Sequence, residues 1–321
     1  KFFIGVDVSK KTIDVSWTDG PKPLYLGSFP NDEKGFMKMI EGLSKHTQSD
    51  QSEWLIGFEN TGSYSKPILY WLVSHCIPCI EESPLKIKFS SGIKRGKSDK
   101  QDSRVICDYV YIHRDRIKST SLEKPKIQEL KKLLSQRELM MRHRHAINVS
   151  LIDQKDEISP TIFKEMEAQN KLVVMQFQKN IDCIEKLIDK LMQSEPAMAA
   201  NNNLAQSVIG IGPISAWYMI AFTDNFSPKI SSRMFANYIG VAPHPYQSGT
   251  SMQGNSRTSK MANQQIKAIL SNGIQSAIQH DPQIREYYTR KIAEGKPDGL
   301  VFNNVKNKLI IRVFSTVQRG T

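Results

Sequence analysis

The first 120 residues alternate short apolar runs with amphipathic stretches. Phe2-Phe3-Ile4-Gly5-Val6-Asp7-Val8 reads as an apolar strand and Thr12 to Trp17 as a second, joined by the basic turn Ser9-Lys10-Lys11. Residues 22–29 suit a third strand. Between Glu33 and Lys45, Phe36, Met39, Ile40 and Leu43 fall at helical spacing, and Trp54-Leu55-Ile56-Gly57-Phe58 is a short strand of buried type. Further helices are expected from about Ser65 and from near Ser98. Strands alternating with helices indicate an α/β layer.

From about Glu123 the pattern becomes long helix. Residues 123–150 form a strongly basic helix carrying Lys131, Lys132, Arg137, Arg142 and Arg144. Beyond it, Val174, Phe177, Ile181, Ile184, Ile188 and Leu191 alternate spacings of three and four, the a/d seam of a coiled coil. Such an arm packs on a partner or on the chain itself. Glu195-Pro196 is expected to end it, Asn201-Asn202-Asn203 to serve as a linker, and a mostly helical domain to run from Leu204 to the end.

Composition narrows the function. The chain has 321 residues, enough for about two domains. With 44 Lys and Arg against 32 Asp and Glu it carries a formal charge of +12, which favours a polyanionic partner. No apolar run approaches the ~18 residues of a membrane span, and the N-terminus lacks signal-peptide order. A cytoplasmic, nucleoid-associated protein with no membrane partner is therefore expected. It opens at Lys1, which leaves room for a few preceding residues. Cys76-Ile-Pro-Cys79 has CxxC spacing but closes a helix instead of opening one, and no second ligand pair accompanies it, so ordinary reduced cysteines are expected.

The acidic residues are more telling. Asp7 lies inside an apolar strand, where a carboxylate is costly unless paired or metal-bound. Glu59 follows directly on the strand ending at Phe58, and Asp99 and Asp102 share one face at a helix start. Gathered by a sheet, these four would bind Mg²⁺, with Mn²⁺ as a substitute. Two such ions about 3.5–4 Å apart would suit phosphoryl transfer. Singly, each carboxylate is equally consistent with a turn, an edge or a helix N-terminus. Their setting is basic: residues 85–118 hold Lys86, Lys88, Lys94, Arg95, Lys97, Lys100, Arg104, Arg114, Arg116 and Lys118 against four acids. Acids in a basic field suit a metal site beside a nucleic-acid backbone.

In the second half, Val208-Ile209-Gly210-Ile211-Gly212-Pro213 resembles the hairpin of a helix-hairpin-helix element, which binds phosphate backbones; a Gly-rich helix-helix turn has the same pattern. From Asn225 to His280 there is no Asp or Glu, while Arg257 and Lys260 are among the cations present. Inside that stretch, residues 245–257 read as a flexible, hydroxyl-rich loop, where a nucleophile on phosphorus is conceivable but turn formation is commoner. Spacing does not choose between Tyr246, Ser248, Thr250 and Ser251.

Taken in order, Gly5-Val6-Asp7-Val8-Ser9-Lys10, Glu59-Asn60-Thr61-Gly62-Ser63-Tyr64, Lys97-Ser98-Asp99-Lys100-Gln101-Asp102, the Ile-Gly-Ile-Gly hairpin and Tyr246-Gln247-Ser248-Gly249 resemble the DEDD transposases of insertion sequences. That family includes the Piv-type DNA invertases and the bridge-RNA-guided recombinases, and the likeness spans nearly the whole chain. It implies an α/β plus mainly α protein: a RuvC-like domain of RNase H fold over residues 1–122, a basic helix and coiled-coil arm over 123–200, and a helical transposase domain with the helix-hairpin-helix-like element over 201–321. It places the acidic tetrad on Asp7, Glu59, Asp99 and Asp102 and the catalytic serine on Ser248, which would form a phosphoserine link to DNA with Mg²⁺ at the scissile phosphate. It implies a homo-oligomer, dimer or tetramer, whose subunits share the site, acting on double-stranded donor and target DNA. It also implies a non-coding guide RNA. The residues expected along nucleic acid are Lys94, Arg95, Lys97, Lys100, Arg104, Arg142, Arg144, Gly210, Gly212, Arg257 and Lys260. Ser103 departs mildly from the Ala common after Asp102 but is still the small residue expected there. The alternatives are an unguided Piv-type invertase, a metal-dependent nuclease of Holliday-junction type in which Ser248 is only a loop residue, and a non-catalytic nucleic-acid-binding protein.

Overall fold

A computed structural model describes the chain except residues 93–97, 121, 243, 249–251 and 258–260; of residues 244–248 and 252–257 it describes the backbone alone. The chain divides into two compact units, Lys1–Leu122 and Glu123–Thr321.

The first unit is built on a five-stranded mixed sheet of order β3-β2-β1-β4-β5. Strands β1 (Phe2–Val8), β2 (Thr12–Thr18) and β3 (Leu24–Pro30) form an antiparallel meander, while β4 (Trp54–Glu59) and β5 (Cys79–Glu82) add in parallel beside β1. Strand alternation sorts the side chains by face. Ile4, Val6, Val8, Ile13, Val15, Trp54, Ile56 and Phe58 point to one face, sealed by α1 (Glu33–Thr47) and α2 (Lys66–Ser74) through Phe36, Met39, Leu43, Ile68 and Leu72. Phe3 and its face-mates look the other way, towards α3 (Pro84–Ser90) and α4 (Asp99–His113), where Ile87, Ile106, Tyr109 and Val110 complete a smaller core.

Glycine sets how closely α4 can lie on the sheet. A Cβ built on Gly5 would sit 2.2 Å from the Cys107 backbone nitrogen and 2.3 Å from the Ser103 carbonyl oxygen. A Cβ on Gly57, beside Gly5 in the parallel register, would sit 2.2 Å from a Val110 side-chain methyl. The helix is tied down by a buried 2.8 Å hydrogen bond between the hydroxyls of Ser16 on β2 and Ser103 on α4. Cys79 and Cys107 are buried free thiols pushed up by desolvation to about 11 and about 12, and Cys76 and Cys183 are free and exposed.

Among the described residues, the second unit is helical apart from one hairpin. Its long helices α5 (Pro125–Asp153) and α6 (Pro160–Ser194) run antiparallel, as the pairings Arg137–Glu185, His143–Phe177 and Arg144–Gln178 show. The expected seam from Val174 to Leu191 faces inward at every position, buried or half-buried, and it packs on α5 of the same chain. Ile127, Leu130, Leu134, Ile188 and Leu191 continue into the core shared with α7 (Pro196–Gln206), α8 (Pro213–Phe222), α9 (Ser232–Tyr238), α10 (Gln264–His280), α11 (Pro282–Ala293) and α12 (Asp298–Arg319).

Two expectations are corrected. Asn201-Asn202-Asn203 is not a linker but the middle of α7: Pro196 starts that helix, buried Met198 and Ala205 anchor it, and Asn201 donates to the Asn225 side-chain oxygen at 3.0 Å. Residues 245–248 and 252–257 are not loop but lie in an antiparallel hairpin, β6 (His244–Ser248) with β7 (Met252–Arg257), while residues 249–251 lie outside the described residues. The register shifts at Pro245, which has no N–H for a ladder, and the hydroxyl-rich composition hides the pairing.

Because backbone cannot yield as a side chain does, Gly5→Ala is expected to destabilise at or above the upper end of the ~1–3 kcal/mol typical of overpacking. Gly299→Ala, in open space on α12, should instead stabilise by roughly 0.5–1 kcal/mol. Urea unfolding measures both, and similar midpoints for the two variants would contradict the close seating of α4.

Candidate functional site

The hairpin of β1 and β2 brings two carboxylates side by side. Asp7 and Asp14 are direct cross-strand partners, and both lie on the face that α4 covers. Glu59 ends β4 on that same face by alternation from Gly57. Helix α4 begins above them with the Ser98 hydroxyl accepting from the Gln101 N–H, and its first turn carries Asp99 and Asp102. The close seating at Gly5 delivers that turn to Asp7.

Asp7, Asp99 and Asp102 each offer a carboxylate oxygen, and the three oxygens lie within 4.8 Å of one another. An all-oxygen donor set of this kind fits a hard divalent cation. Glu59 is not in that tightest group, yet its charge acts on Asp7. Burial pushes the Asp7 carboxyl up from 3.8 to about 7, reinforced by the charges of Asp102, Asp99, Glu59 and Asp14 in that order. This carboxyl therefore holds its proton close to neutrality until a cation offsets the surrounding charge.

Asp14 is absent from the tetrad expected from sequence. It is buried, accepts from the Tyr25 hydroxyl at 2.6 Å and from the Ser28 hydroxyl at 3.2 Å, and so anchors β3 beneath the cluster. Desolvation, then the Asp14 hydrogen bond, pushes the Tyr25 phenol up to about 12, which keeps it a donor. Lys100 lies over the Tyr25 ring at 4.9 Å. The sequence does carry a signal for Asp14: Asp14, Ser16 and Thr18 alternate with apolar residues on β2.

The remaining expected residues are placed unequally. Ser248 ends β6 opposite Met252, the last ladder position before residues 249–251; its side chain, like that of Arg257, lies outside the described residues. Lys94, Arg95, Lys97 and Lys260 also lie outside them. Arg104 is half-buried, and its Nε has no hydrogen-bond partner among the described residues. Arg142 is exposed, 3.8 Å from Glu138, and Arg144 donates to Gln178. Gly210 and Gly212 sit in the turn between α7 and α8, but differently. Gly210, at φ +94°, packs against Gly273 and Ala277 of α10, whereas Gly212 is exposed and a Cβ on it would meet nothing within 4 Å.

Comparison with known proteins gives a consistent picture. A transposase model of the DEDD type matches residues 4–160, and a model for the IS116/IS110/IS902 transposase family matches residues 202–289. The first range contains Asp7, Glu59, Asp99 and Asp102; the second contains the α7–α8 turn and Ser248. The pilin gene-inverting protein of Moraxella bovis is 23% identical over 334 residues, 100% of this chain and 97% of that protein. Its counterpart in Moraxella lacunata matches with the same identity and coverage. An uncharacterized 43.6 kDa protein of insertion element IS110 from Streptomyces coelicolor is 25% identical over 138 residues, 43% of this chain and 33% of that protein.

The raised Asp7 value sets a pH dependence. Below 3.8 the group is protonated in both folded and unfolded chains; between 3.8 and about 7 only the unfolded chain gives up its proton. The metal-free fold should thus lose stability as pH rises through this window, and the loss is complete above it. Melting of the wild type without metal should fall more steeply from pH 4 to 7 than that of Asp7→Asn. Added Mg²⁺ at pH 8 should recover it through binding to the folded state. Parallel curves for the two proteins would contradict the charge cluster.

Proposed function

The chain belongs to the DEDD transposase family of insertion sequences, together with the pilin gene-inverting proteins, and from that premise we propose that it cuts and rejoins DNA through a serine nucleophile served by a divalent-metal site. The observation that carries this reading is the convergence of Asp7, Asp99 and Asp102 under the start of α4. The strand order β3-β2-β1-β4-β5, with the first three antiparallel and the last two parallel, supports a RuvC-like RNase H fold for the first unit.

Asp7, Asp99 and Asp102, with Glu59 beside them, would hold Mg²⁺ or Mn²⁺. Bound there, the cation supplies Lewis-acid polarisation of a phosphoryl oxygen and offsets developing negative charge. The protein's own groups do the rest. Asp14, Tyr25 and the Ser16–Ser103 bond hold the carboxylates in place. Ser248, poised at the end of β6, attacks phosphorus: its Oγ–P bond forms, the bond from phosphorus to the displaced deoxyribose oxygen breaks, and that oxygen leaves as a hydroxyl, taking up the proton the serine gives up. The phosphoserine conserves the phosphodiester, so a hydroxyl of another strand can reverse the step and reseal DNA without ATP. The acid-free stretch from Asn225 to His280 suits the strand running past Ser248. The active form is a homo-oligomer on donor and target DNA, and a non-coding RNA held by the basic stretches selects the sites.

A second outcome has its own support. The relatives matched along the whole chain carry the name pilin gene-inverting protein; the same chemistry applied to two sites in one molecule gives inversion, with no guide required. RNA sequenced from the purified protein separates the two: one discrete species encoded beside the gene supports guided transposition, and its absence supports inversion.

The chemistry itself is tested by denaturing gels on DNA carrying the element's ends. Wild type should leave a protease-sensitive protein–DNA adduct, and Ser248→Ala should leave none. Asp7→Asn should lower the rate by at least ~10²-fold, the usual scale for removing a group that stabilises transition-state charge. Cleavage by Ser248→Ala at the wild-type rate would sink the serine mechanism in favour of a metal-dependent nuclease.

A further inference from the structure

The second unit contains a cavity that the reading above does not use. It measures about 470 Å³ and opens between α5, the turn leading into α8, and α10, within the range of small-molecule sites (~300–1,000 Å³). Met141, Ile214 and Ile269 give it apolar walls, and Arg137, Glu138 and Asn272 give it polar ones.

Arg137 is its most informative lining residue. The side chain is only 7% exposed, so its charge is nearly stripped of water. Its Nε donates to Glu185 at 2.7 Å, while neither Nη nitrogen makes a hydrogen bond among the described residues. Without a protein acceptor, they are free to take one from a ligand in the cavity that Arg137 lines. Glu138, the next residue, faces the same cavity, and its ion pair with exposed Arg142 is a loose 3.8 Å. A paired donor and a paired acceptor between apolar walls match the edges and faces of a flat heteroaromatic ring.

We propose that this cavity takes one unstacked nucleobase of the DNA substrate, with guanine as its best fit. Guanine offers two adjacent acceptors, O6 and N7, to an arginine fork, and two adjacent donors, N1–H and the N2 amino group, to a carboxylate. The ring faces lie against Met141, Ile214 and Ile269. DNA is the expected source because the cavity lies on the unit that carries the acid-free stretch and Ser248. A captured base would hold the duplex locally open while its strands are exchanged. The inference rests on the DNA-recombining reading, but its test does not use that chemistry.

The full-length protein is titrated with dGMP, dAMP, dCMP, TMP and GMP, and saturation transfer to the base protons is read by NMR. The expected result is the strongest transfer to dGMP. Ser276→Trp and Asn272→Trp alter exposed positions of α10 at the cavity; each should weaken dGMP binding about tenfold or more with an unchanged melting temperature. Two variants guard against one failing to fold. No transfer to any base, a stronger signal from another deoxynucleotide, or undiminished dGMP binding in both folded variants overturns the proposal. Stronger transfer to GMP than to dGMP overturns DNA as the source and assigns the pocket to RNA. A serine adduct that forms normally beside a failed titration would leave the recombinase reading standing and remove this inference alone.

Discussion

The contact between Gly5 and the backbone of α4 governs the arrangement of the first unit. With a Cβ there, the helix would have to lift off the sheet, since the atoms it would meet at 2.2 and 2.3 Å belong to the helix backbone. Neighbouring Gly57 extends the flat place, and the Ser16–Ser103 hydrogen bond fixes the helix along it. Rotation and height of α4 are thereby set within the tolerance of close packing. The carboxylates of its first turn reach Asp7 because the seat lies one turn further along, at Ser103 and Cys107.

This closeness sets packing against electrostatics. Three carboxylates share a small volume with Glu59 and Asp14 nearby, and burial with like charge drives Asp7 up to about 7. Part of the repulsion is offset locally. Asp99 and Asp102 occupy the N-terminal turn of α4, where the helix dipole favours negative charge. Asp14 is satisfied by two hydroxyl donors from β3. Among the described residues Asp7 has no such relief and is left as the residue whose ionisation depends on what binds. A fold that tolerates this conflict in the absence of metal pays for a site ready to take up a cation.

The second unit uses glycine to a different end. Gly273 on α10 lies so close to the α7–α8 turn that a Cβ on it would meet the Gly210 carbonyl oxygen at 1.8 Å. The turn is therefore pressed onto a helix at Gly210 and exposed at Gly212. One glycine of the pair is explained by packing, and the other is available to a ligand. The same seating brings the turn, α5 and α10 around a single cavity, where α5 contributes a nearly buried arginine.

Much of this is legible in the sequence, and the exceptions share a cause. Strand alternation and helical spacing place β1, β2, β4 and α1 because burial on one face imposes a simple period, and the acids stand out against it. The Ser16–Ser103 bond is not legible in sequence because its importance is pairwise: a serine in a strand is unremarkable until another hydroxyl lies 2.8 Å away. Composition misleads where it speaks for conformation. Three successive asparagines suggest a linker, but Pro196 and two buried apolar residues are sufficient to hold them in helix. The hydroxyl-rich segment suggests a loop, but cross-strand pairing supplies partners for its backbone, placing Ser248 at a defined ladder position. For the chemistry proposed above such a placement matters, since a reacting oxygen must be held close to its target geometry.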